Sequence, residues 1–429
     1  MVNLNQFLSK TEKLHTSAFQ KAVDYCAENG NEPLFVPYGE YLLSTVKLPS
    51  NTTIIFEDGV KIFGSKNLDD YYADEELKNL YQDLSHGSYT KSLFYAKDAK
   101  NITLRGNATI DMQSSWDLGR KRSRSGRGAK VISFDNVTDV KILDLKILHA
   151  TDVAMLLGRV KNAFIRGLYM ETHIDGISTD GAEDVVISDC ILNCGDDALV
   201  FKASLYDNKV CHSKRITATN CIISSMCNGI KIGTETTGDF SNINVNNCIV
   251  YNTHCTGISI ESVDGSNVKG VNISNVTMDN VSCPIFIYAG KRMRAPEGTP
   301  VGSINDVNIT NVYADCNDKT YKTVACELEM LGENGDIVSN PSVTSNIVNM
   351  SGRPMTNINL TNVSLNMVGG KKKNEIDYKD NEKGYPRGEM FGYVLPAHGL
   401  FVKNVDGINL TNVKCTVQNP DERPDIVIE

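Results

Sequence analysis

The chain has 429 residues, of which 41% are hydrophobic and 22% are charged, an ordinary balance for a protein that buries a sizeable core. The formal net charge of −9 argues against general nucleic-acid binding. No run of about 18 apolar residues occurs, so no membrane-spanning helix is expected. The opening residues, MVNLNQFLSK, contain no apolar signal core, so a signal segment has either been removed or never existed.

The first predicted element is a helix over residues 11–28, where Leu14, Ala18, Ala22 and Cys26 recur at helical spacing. Two strand-like runs, LFVPYGEYLL and NTTIIFEDGVKIFG, follow this helix. Residues 117–130 contain six Lys and Arg and predict a basic loop, which is either simply solvated or attracts an anion. Residues 371–398, rich in charge with Pro and Gly, predict a second long loop.

A six-residue phrase recurs between and after these segments: apolar, any, apolar, any, Asn or Asp, apolar. Nine copies begin at Val140, Ala163, Val185, Ile216, Ile243, Val271, Val307, Ile358 and Ile408. The alternation has period two, so each copy predicts a short strand. Because no helical pattern separates the copies, the repeat indicates a stack of strand-built coils rather than βαβ units.

Two columns of the repeat support this interpretation. The sixth position is always apolar: Leu145, Leu168, Cys190, Cys221, Cys248, Val276, Val312, Val363 and Val413. The fifth position favours left-handed turn residues: Asp144, Gly167, Asp189, Asn220, Asn247, Asn275, Asn311, Asn362 and Asn412. We therefore predict an all-β chain, a right-handed parallel β-helix in one domain over residues 1–429, with the helix of residues 11–28 capping its open end.

Twelve cysteines invite a metal or disulfide interpretation. Cys190, Cys221 and Cys248 instead fall in the apolar column, where a thiol behaves as a small hydrophobic group. No CxxC pair occurs, which argues against a zinc site. We expect structural cysteines, no metal and no cofactor.

Carboxylates gather at one place in the repeat. Asp175 lies 22 positions before Asp197, the same offset that separates two neighbouring phrases, and Asp196 adjoins the pair. By the same spacing, Asp152 and Asn228 extend this column, with Thr256 near its end. Unit charges ~5 Å apart at an effective dielectric of ~20 repel by about 3 kcal/mol, which favours one protonated and one ionised carboxyl. Such a pair is suited to cleavage of a glycosidic bond, although a calcium site or a structural Asp ladder remains an alternative.

The stretch HIDGISTDGAEDVVISDCILNCGDDALVFKAS resembles the signature of glycoside hydrolase family 28, the polygalacturonase family. The N-terminal run from HTSAFQ to IFGS and the C-terminal run GEMFGYVLPAHGLFVKNVDGINLTNV also resemble that family. The resemblance implies a right-handed parallel β-helix whose members hydrolyse with inversion and need no metal.

The family's four motifs carry over unevenly. Asp175 matches the Asp of Asn-Thr-Asp, with His173 in place of the Asn, and Asp196 and Asp197 match Gly-Asp-Asp. The resemblance implies that Asp196 is the general acid and that Asp175 and Asp197 position and deprotonate the water. Cys227-Asn228-Gly229 replaces Gly-His-Gly.

The fourth motif, Arg-Ile-Lys, is replaced by Ser259-Ile260-Glu261. In the family that basic pair grips the galacturonate carboxylate. We expect His173, Asn228 and Glu261 to line the substrate site and other cations to replace the lost pair. The candidate replacements are Lys202, Lys231, Arg292 and Arg294.

The predicted function is that of an inverting, exo-type glycoside hydrolase acting on galacturonate-containing, pectin-like or other acidic poly- and oligosaccharides. A carbohydrate is the expected partner, and the oligomeric state stays open. The expected location is outside the cell or in the periplasm after loss of a signal, or in the cytoplasm on imported oligosaccharides. One alternative is a polysaccharide lyase or epimerase with calcium on the Asp cluster and Lys231 or Arg292 as base. Another is a glycan-binding β-helix without catalysis.

Overall fold

The computed structural model of the protein describes residues 1–9, 11–77, 80–82, 90–113, 128–317 and 341–429. In these ranges the chain forms one α-helix, α1, and thirty strands, twenty-eight of which belong to one continuous sheet. The exceptions, β18 and β19, form a small antiparallel hairpin. No helix in these ranges is long and apolar enough to cross a membrane.

The elements of the N-terminal half are β1 Val2–Asn3, α1 Thr16–Glu28, β2 Leu34–Val36, β3 Glu40–Leu43, β4 Val46–Lys47, β5 Thr53–Phe56, β6 Lys61–Gly64, β7 Ser92–Arg105, β8 Thr109–Asp111, β9 Lys130–Leu143, β10 Lys146–Ala150, β11 Met155–Gly158, β12 Lys161–Arg166, β13 Tyr169–Thr172, β14 Ile177–Asp180, β15 Glu183–Ser188, β16 Ile191–Cys194 and β17 Leu199–Ala203. Those of the C-terminal half are β18 Leu205–Tyr206, β19 Lys209–Val210, β20 Ser213–Thr219, β21 Ile222–Ser225, β22 Asn228–Thr236, β23 Phe240–Ser262, β24 Asn267–Ala289, β25 Ser303–Asp315, β26 Ser345–Asn349, β27 Thr356–Gly369, β28 Leu400–Lys403, β29 Ile408–Asn419 and β30 Ile426–Ile428.

The strands stack in three parallel ladders, and each coil contributes one strand to each ladder. The first ladder runs β9–β12–β15–β20–β23, the second runs β10–β13–β16–β21–β23, and the third runs β11–β14–β17–β22–β23. The long strands β23 and β24 bend through successive faces, and the stack continues from β24 to β30. This arrangement confirms the predicted parallel β-helix.

The nine sequence phrases lie in one ladder and in the predicted register. Val140 pairs with Ala163, Ala163 with Val185, and Val185 with Ile216, and the same alignment continues to Ile408. The apolar column points into the core, and Cys190, Cys221 and Cys248 in it are buried free thiols. Val413, on one of the last strands, is only partly buried.

The fifth column forms a ladder of side chains at a turn. All nine of its residues have positive φ, between 52° and 67°. Asn220 donates from Nδ2 to Asp189 Oδ1 at 3.1 Å, and its own Oδ1 accepts from Asn247 Nδ2 at 2.8 Å. At Gly167 an added Cβ would lie 2.4 Å from Asp144 Oδ1, so a larger residue there would force the Asp144 side chain to move.

The helix α1 begins later than the sequence pattern predicts, at Thr16 rather than residue 11. Its apolar face, formed by Ala18, Phe19, Ala22 and Val23, is buried against the first coils. This contact covers apolar side chains that the first strands would otherwise expose to water. Residues 371–398 contain no strand, and most of the predicted basic loop, through residue 127, lies outside the described residues. Its last residue, Lys130, begins β9.

The Asn ladder predicts how the turn tolerates substitution. Asn220→Ala removes three side-chain hydrogen bonds, those with Asp189, Asn247 and Thr219, and leaves in the left-handed region a residue without the polar side chain that offsets its cost of roughly 1–2 kcal/mol. Asn220→Gly removes the same bonds but adopts that backbone without strain. We expect the midpoint of thermal unfolding, followed by circular dichroism, to fall more for Asn220→Ala than for Asn220→Gly. Equal midpoints would contradict the argument from left-handed geometry.

Candidate active site

The predicted column of polar residues lies in the turn that leads into the third ladder. Asp175 precedes β14, Asp197 precedes β17, and Asn228 begins β22. The Gly176 N–H donates to the Asp197 carbonyl at 2.9 Å, and the Ala198 N–H donates to the Asn228 carbonyl at 2.9 Å. The three residues are therefore stacked one coil apart, as the spacing predicts.

Asp152 does not belong to this column, and its predicted place there is wrong. The ladder shifts register at the end of β10, and the Ala154 N–H donates to the Asp175 carbonyl at 2.9 Å. Val153 therefore lies opposite Asp175, because a one-residue irregularity moves every later side chain by one place. Asp152 instead pairs with Lys130 at 3.0 Å, and both side chains are fully buried.

The glycine before the acidic pair allows the coils to approach each other. A Cβ at Gly195 would lie 2.2 Å from the carbonyl oxygen of His173 on the preceding coil. Gly195 therefore lets the turn that carries Asp196 and Asp197 pack closely against the turn that carries Asp175. His173 is buried in this contact, and burial first, with His149 second, lowers the pKa of its imidazole to about 3. Its ring is neutral across the ordinary pH range.

Asp197 is held as a carboxylate. Its Oδ1 accepts from Asn228 Nδ2 at 2.6 Å, and its Oδ2 lies 3.1 Å from Lys231 Nζ. Burial raises the pKa of Asp197, but Lys231, the Asn228 amide and Lys202 together outweigh burial and lower it. The lowered pKa means that Asp197 is ionised at a pH where an ordinary buried carboxyl would hold its proton.

Glu261 has the opposite character. It is fully buried, its Oε1 accepts from Ser259 at 2.7 Å, and it lies 4.0 Å from Lys231 Nζ. Burial raises the pKa of Glu261 to about 7 even though Lys231 and Ser259 oppose the rise. The pKa values of Glu261 and Asp197 thus shift in opposite directions on the two sides of Lys231, whereas the sequence predicted such a split within the Asp cluster itself.

Asp196 differs from both, because it is only partly buried. One carboxylate oxygen each of Asp196 and Asp197 and the Sγ of Cys227 lie within 4.8 Å of one another. This set fits calcium poorly, because calcium prefers oxygen ligands and Lys231 and Asn228 already occupy Asp197. Asp196 is thus the member of the acidic pair with access to solvent.

The four predicted cations all have carboxylate partners. Lys202 lies 3.7 Å from Asp175 and 3.6 Å from Glu235, and Lys231 lies between Asp197 and Glu261. Arg292 holds Asp264 with both Nε and a terminal nitrogen, and Arg294 lies 3.3 Å from Glu235. Exposure separates these cations, because the Arg294 side chain is 42% exposed whereas that of Lys231 is 1% exposed.

Sequence reasoning missed Glu235, Asp264 and Tyr385. Glu235 lies four residues after Lys231 on β22, beyond a register shift in the ladder, so the spacing of the repeat could not have suggested it. Asp264 lies in the turn between β23 and β24 and carries no repeat signal. Tyr385 comes from the loop of residues 371–398, and its hydroxyl lies 3.0 Å from Thr234 Oγ1. No spacing in the sequence connects it to the site.

The protein is thus a parallel β-helix in which three acidic side chains, those of Asp175, Asp196 and Asp197, gather at the turns before the third ladder. Residues 26–365 match the family described as glycosyl hydrolases family 28. The chain belongs to this family, which confirms the resemblance.

Several proteins of related sequence or structure were found. A probable polygalacturonase of Vitis vinifera is 23% identical over 272 residues, which cover 58% of this chain and 54% of that protein. The chain therefore spans about half the length of this curated relative.

Two solved structures share the fold. The exopolygalacturonase of Thermotoga maritima aligns with a TM-score of 0.62 at 16% identity, covering 85% of this chain and 86% of that one. The endo-xylogalacturonan hydrolase of Aspergillus tubingensis aligns with a TM-score of 0.64 at 15% identity, covering 97% and 98%. The right-handed β-helix is confirmed by these neighbours.

Lys231 provides a test of how Asp197 is held ionised. Lys231→Met removes the adjacent positive charge, so the pKa of Asp197 should rise. The side-chain carboxyl ¹³C shift of Asp197, followed against pH in labelled protein, measures this pKa directly. Lys214→Met is the matched control, because Lys214 pairs with Glu183 on the outer surface at 3.1 Å. An unchanged Asp197 titration in Lys231→Met would show that Asn228 and Lys202 are enough to keep the carboxylate ionised.

Proposed function

We propose that this protein is an inverting glycoside hydrolase that acts from a chain end on galacturonate-containing, pectin-like or other acidic glycans. The observation that carries the proposal is the pairing of an ionised, hydrogen-bonded Asp197 with a partly exposed Asp196 beside it. Cleavage of a glycosidic bond with inversion needs one carboxyl group to protonate the leaving oxygen and a carboxylate to deprotonate water.

The roles follow from the surroundings of each carboxyl group. Asp196 has access to a bound glycan and acts as the general acid on the glycosidic oxygen. Asp197, with its lowered pKa, accepts a proton from the attacking water, and Asp175, stacked above it, helps to orient that water. Lys231 and Asn228 position Asp197 and do not themselves contact the reacting atoms in this proposal.

The lyase alternative receives less support from these contacts. A base that removes a proton from a uronate must be unprotonated, but the pKa of Lys231 is well above its ordinary value. Burial lowers this pKa, and the neighbouring carboxylates, Asp197 foremost, more than reverse the effect. Arg292 holds Asp264 through two nitrogens and is a poor base for the same reason.

Action from a chain end is supported by a bridge across one side of the site. Gln82 donates from Nε2 to the Arg294 carbonyl at 2.8 Å, and its Oε1 accepts from Thr237 at 2.8 Å. The Gln82 N–H also donates to the Leu205 carbonyl at 3.0 Å, so the segment spans from the β18–β19 hairpin to Arg294. A bridge at this side of the site would block the passage of an internal glycan segment, which is why we propose action from a chain end. The names of the Thermotoga maritima neighbour and of the Dickeya chrysanthemi exo-poly-alpha-D-galacturonosidase relative agree with this proposal.

The central test is hydrolysis of oligogalacturonides with the anomer of the new reducing end read by NMR. We expect inverted product, and Asp196→Asn should lower kcat by several orders of magnitude because the amide keeps the shape but cannot donate the proton. The unfolding midpoint of Asp196→Asn should stay near that of the parent chain. Retained anomers would refute inversion, and an unsaturated, ultraviolet-absorbing product that requires calcium would identify a lyase instead.

Charge recognition has a separate test. Arg294 is the most exposed of the four site cations, and an arginine can hold a carboxylate through two parallel hydrogen bonds. Arg294→Ala should therefore raise KM for an oligogalacturonide and leave KM for the matched neutral galactose oligosaccharide nearly unchanged. Faster cleavage of the neutral sugar by the parent chain would reject the acidic substrate while leaving the hydrolytic chemistry in place.

A further inference from the structure

The loop of residues 371–398 is anchored to the coils on both sides of residue 385. Before it, the Tyr288 hydroxyl donates to the Asn381 carbonyl at 2.9 Å, and the Lys291 N–H donates to the Glu382 carbonyl at 2.8 Å. After it, Asn346 donates to the Gly388 carbonyl at 3.0 Å, and Phe391 is buried against Tyr288 with ring centres 5.4 Å apart. The loop therefore holds its middle section in a defined position on the β-helix.

That section places Tyr385 over the candidate active site. Its hydroxyl lies 3.0 Å from Thr234 Oγ1, and its ring centre lies 5.6 Å from Lys231 Nζ and 6.0 Å from the guanidinium carbon of Arg292. Lys231 Nζ is in turn 3.1 Å from Asp197. The Tyr385 ring centre therefore lies no farther from the Asp197 carboxylate than the sum of the ring–Lys231 and Lys231–Asp197 distances. Two linked sugar rings can span this separation.

Tyr385 is nevertheless 55% exposed. Its hydroxyl is engaged and two buried cations lie close to its ring, so the ring is oriented while much of its surface remains open. The exposed part of the ring leaves apolar area in water beside the stacked carboxylates, where a bound sugar would cover it. It is suitable as a binding surface, since an aromatic ring offers large contact area at a low cost in conformational entropy.

We propose that Tyr385 is a sugar-binding platform whose ring stacks on the C–H face of a pyranose next to the bond cleaved at Asp196. The electron-rich face of an aromatic ring attracts the weakly positive C–H groups of a sugar. This contact does not read the substituent at C6, so the platform accepts uronate and neutral rings alike. The proposal rests on the proposed function for its substrate class, but it assigns a task that Arg294 does not perform.

Stacking and charge recognition have different signatures. Loss of the Tyr385 ring should weaken uronate and neutral oligosaccharides by similar factors, whereas loss of Arg294 should weaken uronates alone. Tyr385→Phe keeps the ring and removes only the contact with Thr234. Tyr393→Ala is the matched control, because Tyr393 belongs to the same loop and is 52% exposed.

The experiment uses the full chain carrying Asp196→Asn, so that binding is measured without turnover. Calorimetric titration with a tetragalacturonide and with its neutral galactose counterpart gives Kd for Tyr385→Ala, Tyr385→Phe and Tyr393→Ala in this background. We expect Tyr385→Ala to raise the Kd of both oligosaccharides about tenfold. Tyr385→Phe should change Kd by less than about threefold, and Tyr393→Ala should leave it unchanged. Circular dichroism of each variant checks that the fold is retained.

Three results would overturn the proposal: an unchanged Kd in Tyr385→Ala, equal losses in Tyr385→Ala and Tyr385→Phe, or no binding of either oligosaccharide by the parent. Failure of the proposed function is recognised separately, because it appears as absence of hydrolysis in the chain with Asp196 intact. If hydrolysis is absent while Tyr385→Ala still weakens binding tenfold, the platform stands and the catalytic assignment fails.

Discussion

The parallel stacking of coils in register is the constraint on which the rest of this structure depends. Each backbone hydrogen bond between coils brings side chains that are a whole repeat apart in sequence to adjacent positions, roughly 4.8 Å apart. In the fifth column this produces a ladder of Asn and Asp side chains that bond to one another. At the turn before the third ladder it produces Asp175 stacked on Asp197, and Asp197 stacked on Asn228. Structural and chemical columns therefore arise from the same geometry.

Stacked carboxylates are costly unless their charge is balanced, and the site balances it locally. Lys202 forms ion pairs with Asp175 and Glu235. Lys231 pairs with Asp197, and Arg292 pairs with Asp264. Burying an ion without a partner costs several kcal/mol, so such pairs are needed for the acids to remain inside the fold. The same pairs withdraw Lys231 and Arg292 from direct recognition of a substrate carboxylate. Of the four cations expected to replace the missing Arg-Ile-Lys pair, Arg294 has the most exposed side chain.

The repeat in the sequence predicted those features whose positions follow from the stacking of strands in register. Register, the inward cysteines, the left-handed turn column and the contact between Asp175 and Asp197 all depend on columns that share the same offset from one coil to the next, and that offset can be read from residues alone. The predicted position of Asp152 was wrong because a register irregularity of one residue does not change the spacing of the phrases. The sequence did not predict that Tyr385 and Asp264 belong to the site. They lie in a loop and a turn that reach the site through tertiary packing, which has no sequence period. The predicted start of α1 was wrong by a few residues, because helix ends depend on local contacts that the spacing of apolar residues does not show.

The exchange of charges around Lys231 is best understood as one coupled change. Ser259 lies directly opposite Lys231 in the ladder, and Glu261 projects from the same strand two residues later. The family pattern would place Arg and Lys at these two positions, where each would face the ammonium of Lys231 across neighbouring coils. Three buried cations in that space would repel one another strongly, so Lys231 is compatible with Ser259 and Glu261 but not with the family pair. Glu261, with a pKa near 7, in turn limits how strongly Lys231 can attract any further anion. Ser259, Glu261 and Lys231 thus form a single arrangement in which the Lys231 ammonium keeps Asp197 ionised.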